Sequence, residues 1–263
     1  MPELFRSDKE QPINFDAVGE EKPEVLGTGL LEGDVVCVEG MISGSGGRQK
    51  EVQLAQKIFH TEGMLGKHDV EGHVKILLEK HAELKRRHLP TIPTMRIGEV
   101  DGDTRLFMTD LTRGGKNEVI SNMDWESYFG RAGKYFQNDA KFELSNKEEL
   151  SQNASDIFKQ LVTKGCIARN DVFFVIMDKD TKKGQIILGD IYATELYSDS
   201  DLKSYSTRCK LQSDNFKEMN RFLLEINGHL SDESQIDLTL LKQAYDELDQ
   251  KVFDGFDASE ELA

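Results

Sequence analysis

The spacing of apolar and polar positions changes several times along the chain. Residues 1–23 are polar and weakly patterned, and they read as an extended or loosely docked N-terminal arm. From Val25 the pattern turns β-like. Val35, Val36, Cys37 and Val38 form a run rich in β-branched residues, and 51–59 (EVQLAQKIF) alternates outward and inward. The stretch 43–47 (SGSGG) between them predicts a flexible hairpin turn. Over 70–88, Val74, Leu77, Leu78 and Leu84 recur at helical spacing, and Lys75, Glu79, Lys80, Glu83, Lys85 and Arg86 fill the other face. Pro90 and Pro93 stop this helix. Two further strands are expected at 94–100 and 105–111, joined through Asp101-Gly102-Asp103, a hairpin signal.

Beyond Thr112 the pattern becomes mostly helical. RGGKNE (113–118) reads as a turn-rich connector, followed by a helix candidate at 125–137. A stronger one at 147–164 places Leu150, Ala154, Ile157, Phe158 and Leu161 on one stripe. A β-hairpin is expected from 172–177 (VFFVIM), the turn DKDTKKG and 185–188 (QIIL). Helices at 214–228 and 237–253 complete the pattern, and the acidic tail 254–263 is expected to fray. The fold class read from this order is α+β in two lobes. An N-terminal lobe, 24–112, holds an antiparallel sheet with one helix; a hinge lies near 110–117; a helical C-terminal lobe, 113–253, holds one β-hairpin.

Charge narrows the range of functions. Lys and Arg number 33 against 48 Asp and Glu, a formal net charge of −15 in 263 residues. Such a chain has no general attraction for a phosphate backbone or an anionic lipid surface, so no nucleic-acid partner is expected. Hydrophobic residues at 38% and charged residues at 31% describe a globular chain with a wet surface. No apolar run approaches the roughly 18 residues a spanning helix requires. The N-terminus lacks an apolar core behind a basic start, so no signal peptide and a cytoplasmic location are expected. Cys37, Cys166 and Cys209 lie far apart with no C-x-x-C spacing, which argues for packing thiols, with neither a disulfide nor a zinc site.

Four features could carry chemistry. Gly27, Gly29 and Gly33 lie in LGTGLLEGDV (26–35). Glycines there permit a tight turn whose N–H groups approach phosphate oxygens, or simply an ordinary β-turn. Lys57, in the strand segment AQK, either snorkels outward or meets an anion. Glu79 on the following helix can reach back to a sheet lysine, with Glu71 and Glu83 as rivals, or it is merely solvated. Asp171 and Asp190 flank the expected hairpin 172–188. Two carboxylates there can orient a hydroxyl and hold Mg²⁺, or serve as turn aspartates.

Taken in order, the glycine turn, the A-x-K strand, the glutamate-bearing helix, the two-strand hairpin, the hinge, the long helix and the hairpin ending in aspartate resemble the protein-kinase-like superfamily. The small bacterial and antibiotic-kinase-like branches are included, and the resemblance spans 24–192. It implies a bilobal kinase-like fold that binds ATP and Mg²⁺. Gly27, Gly29 and Gly33 match the glycine-rich loop, with one extra residue before the third glycine. Lys57 matches the lysine of V-A-I-K, which contacts the α/β-phosphates, and Glu79 matches its helix partner. FMTDL (107–111), with Met108 and Asp110, looks like the segment whose backbone holds adenine. Asp190 looks like the metal-binding aspartate of D-F-G, and Asp171 is the candidate base.

The departures are specific. H-R-D-x-x-x-x-N becomes Ala168-Arg169-Asn170-Asp171-Val172-Phe173-Phe174: alanine replaces histidine, the aspartate falls one place late or is replaced by Asn170, and Phe173 or Phe174 stands at the second metal ligand. D-F-G reads Asp190-Ile191-Tyr192, and no A-P-E follows. The resemblance thus implies either a phosphotransferase acting on the hydroxyl of an unknown small-molecule or protein acceptor, or a catalytically inactive pseudokinase with an interaction or regulatory role. The short stretch after Asp190 offers little surface for docking a peptide. An unrelated α+β binding domain is the third reading.

Overall fold

The computed structural model describes residues 13–14, 25–29, 33–43, 49–59, 70–100, 103–121 and 141–254. Over these residues the protein is α+β, with antiparallel sheets and four α-helices. The chain divides into two units, Met1–Glu83 with Thr91–Gly115, and Leu84–Pro90 with Lys116–Ala263.

The first unit is built on one six-stranded sheet. Its strands are β1 (Ile13–Asn14), β2 (Val25–Gly29), β3 (Gly33–Ser43), β4 (Gln49–Phe59), β5 (Met95–Val100) and β6 (Asp103–Thr109). Pairing runs β1-β3-β4-β6-β5, and β2 also pairs with β3. The expected hairpin around SGSGG is present as an unbroken register from Gly33 opposite Phe59 to Ser43 opposite Gln49. Its turn residues 44–48 lie outside the described set. Within the arm, Ile13 and Asn14 pair with Ile42 and Met41. Alternation along β4 sorts its side chains by face, because successive residues point to opposite sides of a sheet. Leu54 joins Val36, Val38 and Phe107 in one apolar cluster, against which Ile58 packs. Ala55, Lys57 and Phe59 share the other face.

Helix α1 (Val70–Arg86) buries His73, Val74, Leu77, His81 and Leu84 and exposes Glu71, Lys75, Glu79 and Lys85. It stops two residues before the expected end at 88. His88 takes a left-handed φ of 54° and Pro90 follows two residues on, so the helical backbone cannot continue.

The second unit contains β7 (Asn117–Ser121), α2 (Lys147–Thr163), β8 (Cys166–Ala168), β9 (Phe173–Asp178), β10 (Gly184–Leu188), β11 (Thr194–Leu196), α3 (Tyr205–His229) and α4 (Thr239–Asp254). The expected hairpin is β9–β10, with Leu188 opposite Phe173 and Gly184 opposite Met177. It is not a lone hairpin: β7 pairs with β9 and makes a three-stranded sheet. The connector RGGKNE therefore ends as strand. Its signal is weak because the apolar pair Val119-Ile120 is adjacent instead of alternating, while the ladder buries Asn117. A second pair, β8 with β11, also escapes the periodicity because each strand has three residues. Helix α3 begins nine residues before the expected 214, at Tyr205, since its first turns are largely polar and carry no apolar stripe. The helix candidate 125–137 and the tail beyond 254 lie outside the described residues.

The apolar stripe of α2 is buried as expected, with Leu150, Ala154, Ile157, Phe158 and Leu161 all at 1% exposure or less. Phe158 of α2, Phe216 of α3 and Tyr245 of α4 form an aromatic triad with centroids 4.5–6.5 Å apart. Truncating the fully buried Phe158 ring costs about 3–5 kcal/mol. At the end of α2, Gly165 takes a φ of +66°, and a Cβ there would lie 2.9 Å from Leu202. Beside this helix end the Arg87 guanidinium donates to the carbonyl oxygens of the C-cap residue Lys164, of Gly165 and of Tyr197 just beyond β11. No helix among the described residues is long and apolar enough to cross a membrane. Cys37, Cys166 and Cys209 form no disulfide.

Candidate functional site

The glycine segment of the first unit folds as the β2–β3 hairpin. Gly29 pairs with Gly33, Gly27 pairs with Val35, and the register shifts between Val25 and Gly27. Residues 30–32 at its tip lie outside the described set. Lys57 sits on β4 between Val35 of β3 and Leu106 of β6, the third strand counted from Val25. It is half-buried, and its ammonium lies 5.8 Å from the centroid of the Phe59 ring, within cation–π range. The other side of this apolar patch is histidine: His73 of α1 meets Phe59 edge-on at 5.4 Å.

Glu79, expected to partner Lys57, is exposed on α1, as is Glu71. The polar side chains that α1 buries are His73 and His81, and His81 Nε2 lies 2.6 Å from the carbonyl oxygen of Ile92. Met108 lies in the inner strand β6, opposite Ala55 on one side and Met95 on the other. Asp110 is 3% exposed, and its carboxylate shapes the turn that follows. Oδ1 accepts the Thr112 N–H and hydroxyl at 2.8 and 2.7 Å, and Oδ2 accepts the Gly114 N–H at 2.8 Å.

In the second unit the hairpin brings Asp171 and Asp190 to one end. Asp171 is part of a 3₁₀ turn, Asn170–Val172, just before β9; Asp190 follows Gly189, just beyond β10. The Gly189 N–H donates to the Val172 carbonyl at 2.7 Å, which extends the hairpin to the residues adjoining both aspartates. Both carboxylates are half-buried, and Asp171 Oδ1 is shielded from solvent. Gly189 is required here. A Cβ on it would lie 2.1 Å from the Phe174 ring. Phe173 is fully buried against Phe222 at 5.3 Å, so neither phenylalanine at the expected second-ligand position offers an oxygen.

The turn carrying Asp171 is braced by residues of α3 and β11. Asn215 of α3, with no exposed surface, accepts the Ala168 N–H at 3.1 Å and donates to the carbonyls of Cys166 and Leu211, each at 2.8 Å. It clasps β8 by its main chain. Arg169, next in sequence, pairs with Glu195 of β11 at 2.7 Å. Partial burial pushes the Glu195 carboxyl up, yet the hydrogen bond and charge of Lys210, with the charge of Arg169, outweigh it and hold the carboxyl below its ordinary range. The Tyr197 hydroxyl, accepting at 2.8 Å, holds the Lys210 ammonium above its ordinary range against partial burial, and Glu195 adds to the effect.

No group of three or more His, Cys, Asp or Glu side chains among the described residues is arranged to hold a metal ion. Two carboxylates suit Mg²⁺ nonetheless, because that ion commonly takes one or two protein carboxylates and completes its shell with phosphate oxygens and water. Chemically, this end of the hairpin can hold a hard cation and accept a hydrogen bond from a hydroxyl. No protein-family model matches the chain, and no curated protein matches its sequence.

Proposed function

We propose that this chain is an ATP-binding protein of bilobal, kinase-like organisation, using Mg²⁺ and transferring a phosphoryl group to a hydroxyl acceptor. The observation that carries this reading is the pairing of Asp171 and Asp190 at one end of the β9–β10 hairpin, fixed by the Gly189–Val172 hydrogen bond. In this reading Asp190 holds the metal, and Asp171 accepts the proton-bearing hydroxyl of the acceptor in a hydrogen bond. Lys57 contributes a positive charge to the phosphates, and the glycines of the β2–β3 hairpin let backbone N–H groups approach them. Bound Mg²⁺ would neutralise triphosphate charge, which a chain of net charge −15 does not otherwise offset.

A second reading has its own support. Ala168 replaces the expected histidine, and its N–H is engaged by Asn215; Phe174 covers Gly189; and Glu79 is exposed. These features favour a pseudokinase that keeps the nucleotide and has lost transfer. Calorimetric titration of ATP with and without Mg²⁺ into the wild type and Asp190→Ala, with circular dichroism as the folding control, tests both. Metal-dependent binding lost in Asp190→Ala supports the first reading. Binding indifferent to metal favours the pseudokinase, and no binding by the wild type removes the nucleotide altogether. At a ligand concentration of 100 Kd, the expected gain in stability is about 2.7 kcal/mol.

A further inference from the structure

A charged cluster borders the end of the hairpin that carries the two aspartates. Arg169 stands immediately before the turn Asn170–Val172, and Glu195 lies on β11, on the chain leading away from Asp190. The β8–β11 ladder sets Ala168 opposite Thr194 and Ile167 opposite Glu195. Arg169 Nη2 donates to Glu195 Oε1 at 2.7 Å, and its Nη1 lies 3.6 Å from Glu218 Oε1. The second oxygen of Glu195 accepts the Lys210 ammonium and the Tyr197 hydroxyl, each at 3.2 Å. Lys210 also reaches Asp214 at 3.5 Å. The cluster thus ties the segment entering the Asp171 turn, the segment leaving Asp190, and α3.

The side chains of Arg169 and Glu195 are each 42% exposed. An ion pair this wet contributes little to global stability. Its place in the fold gives it a different use. We propose that Arg169 and Glu195 form a latch that holds the two chain segments bearing Asp171 and Asp190 in register, with Arg169 a positioning residue for the metal–nucleotide site. The metal role rests on the function proposed above; the ordering role does not.

Amide exchange separates the two. The reporter is the Gly189 amide, bonded to Val172 at the latched end, and the control is the Lys182 amide, bonded to the Asp178 carbonyl at 2.8 Å at the other end of the hairpin. Arg169→Gln is expected to speed Gly189 exchange about tenfold and leave Lys182 unchanged, since local opening is read amide by amide. Arg169→Lys, which keeps a cation beside Glu195 and Glu218, is expected to keep exchange slow, which also guards against a single variant that merely folds poorly. In titrations with ATP, the Mg²⁺ concentration giving half-maximal binding rises about tenfold in Arg169→Gln, a coupling of ordinary size, while metal-free binding stays the same. Equal Gly189 exchange in wild type and variant overturns the latch, as does equal acceleration at both ends. Local loosening with an unchanged Mg²⁺ requirement overturns the positioning role. Absence of any ATP binding by the wild type overturns the nucleotide reading and the metal role together, and the exchange result then decides the latch alone.

Discussion

At its turn end the β9–β10 hairpin carries a set of bonds within its own sequence. Asp178 Oδ1 accepts the N–H groups of Asp180 and Thr181 at 3.1 and 2.7 Å and the Thr181 hydroxyl at 2.9 Å. Every partner lies within three residues, the Asx-turn chemistry that favours aspartate at such places. At the other end the segments entering β9 and leaving β10 are held by distant groups. Asn215 is 47 residues from Ala168, and Glu195 is 26 from Arg169. The turn can make its internal bonds from a short stretch of chain, with Lys116, Ser145 and Asn146 bonding its flanks, whereas the end carrying Asp171 and Asp190 has its geometry only once α3 and β11 are in place. Candidate chemistry sits at the end that the rest of the unit must build, which suits a site whose groups have to be held by packed neighbours.

The comparison breaks most visibly at Asn215. Asn215→Ala strips partners from the buried Ala168 N–H and Cys166 carbonyl, and a loss of about 3 kcal/mol is expected, since each buried group left unsatisfied costs about 1–3 kcal/mol. Urea unfolding measures it; a loss below about 1 kcal/mol would mean that the open end does not depend on this clasp. Gly189→Ala comes next. Its Cβ would collide with the Phe174 ring, and overpacking of this kind costs about 1–3 kcal/mol. Adding Phe174→Leu should recover most of the loss, so a double-mutant cycle without coupling would refute the collision. Asp178→Ala should cost about 1 kcal/mol, in line with a net hydrogen-bond contribution, and it should speed Lys182 exchange without touching Gly189.

The smallest effect is a pH dependence. Because the folded Glu195 carboxyl lies below its ordinary range, its contribution is present above the unfolded value of about 4.3 and disappears as pH falls through the lower folded value. With a side chain 42% exposed, the size is under about 1 kcal/mol. The stability difference between wild type and Glu195→Gln, measured from pH 7 downward, should shrink towards zero in acid; a difference that grows in acid would reverse the sign argued here.

The contrast between the two ends also explains what could be read in the sequence. The hairpin, the α2 stripe and the β3–β4 ladder follow from local periodicity, and Asp-Lys-Asp-Thr announces its own turn. Asp171 and Asp190 could be assigned to one end of a hairpin because strand pairing fixes that much. Strand β7 and the first turns of α3 were hidden, since polar residues fill them and tertiary packing supplies the order. Asn215 had no local signal: an asparagine on a helix looks solvated until the strand it clasps is known. Asp110 was legible as a residue near a strand end, but not as the carboxylate that organises the turn to Gly114.

Arg87 carries a consequence for the order of folding. Its three carbonyl partners lie 77, 78 and 110 residues along the chain. Bonds that close loops of that length are favourable only once intervening contacts have shortened the effective loop, so they are expected to form late in assembly. A late contact contributes little to the folding transition state. Removing the guanidinium should therefore leave the refolding rate nearly unchanged and shorten the lifetime of the folded protein. In that sense the residue governs how long the second unit stays closed and has little influence on how fast it forms.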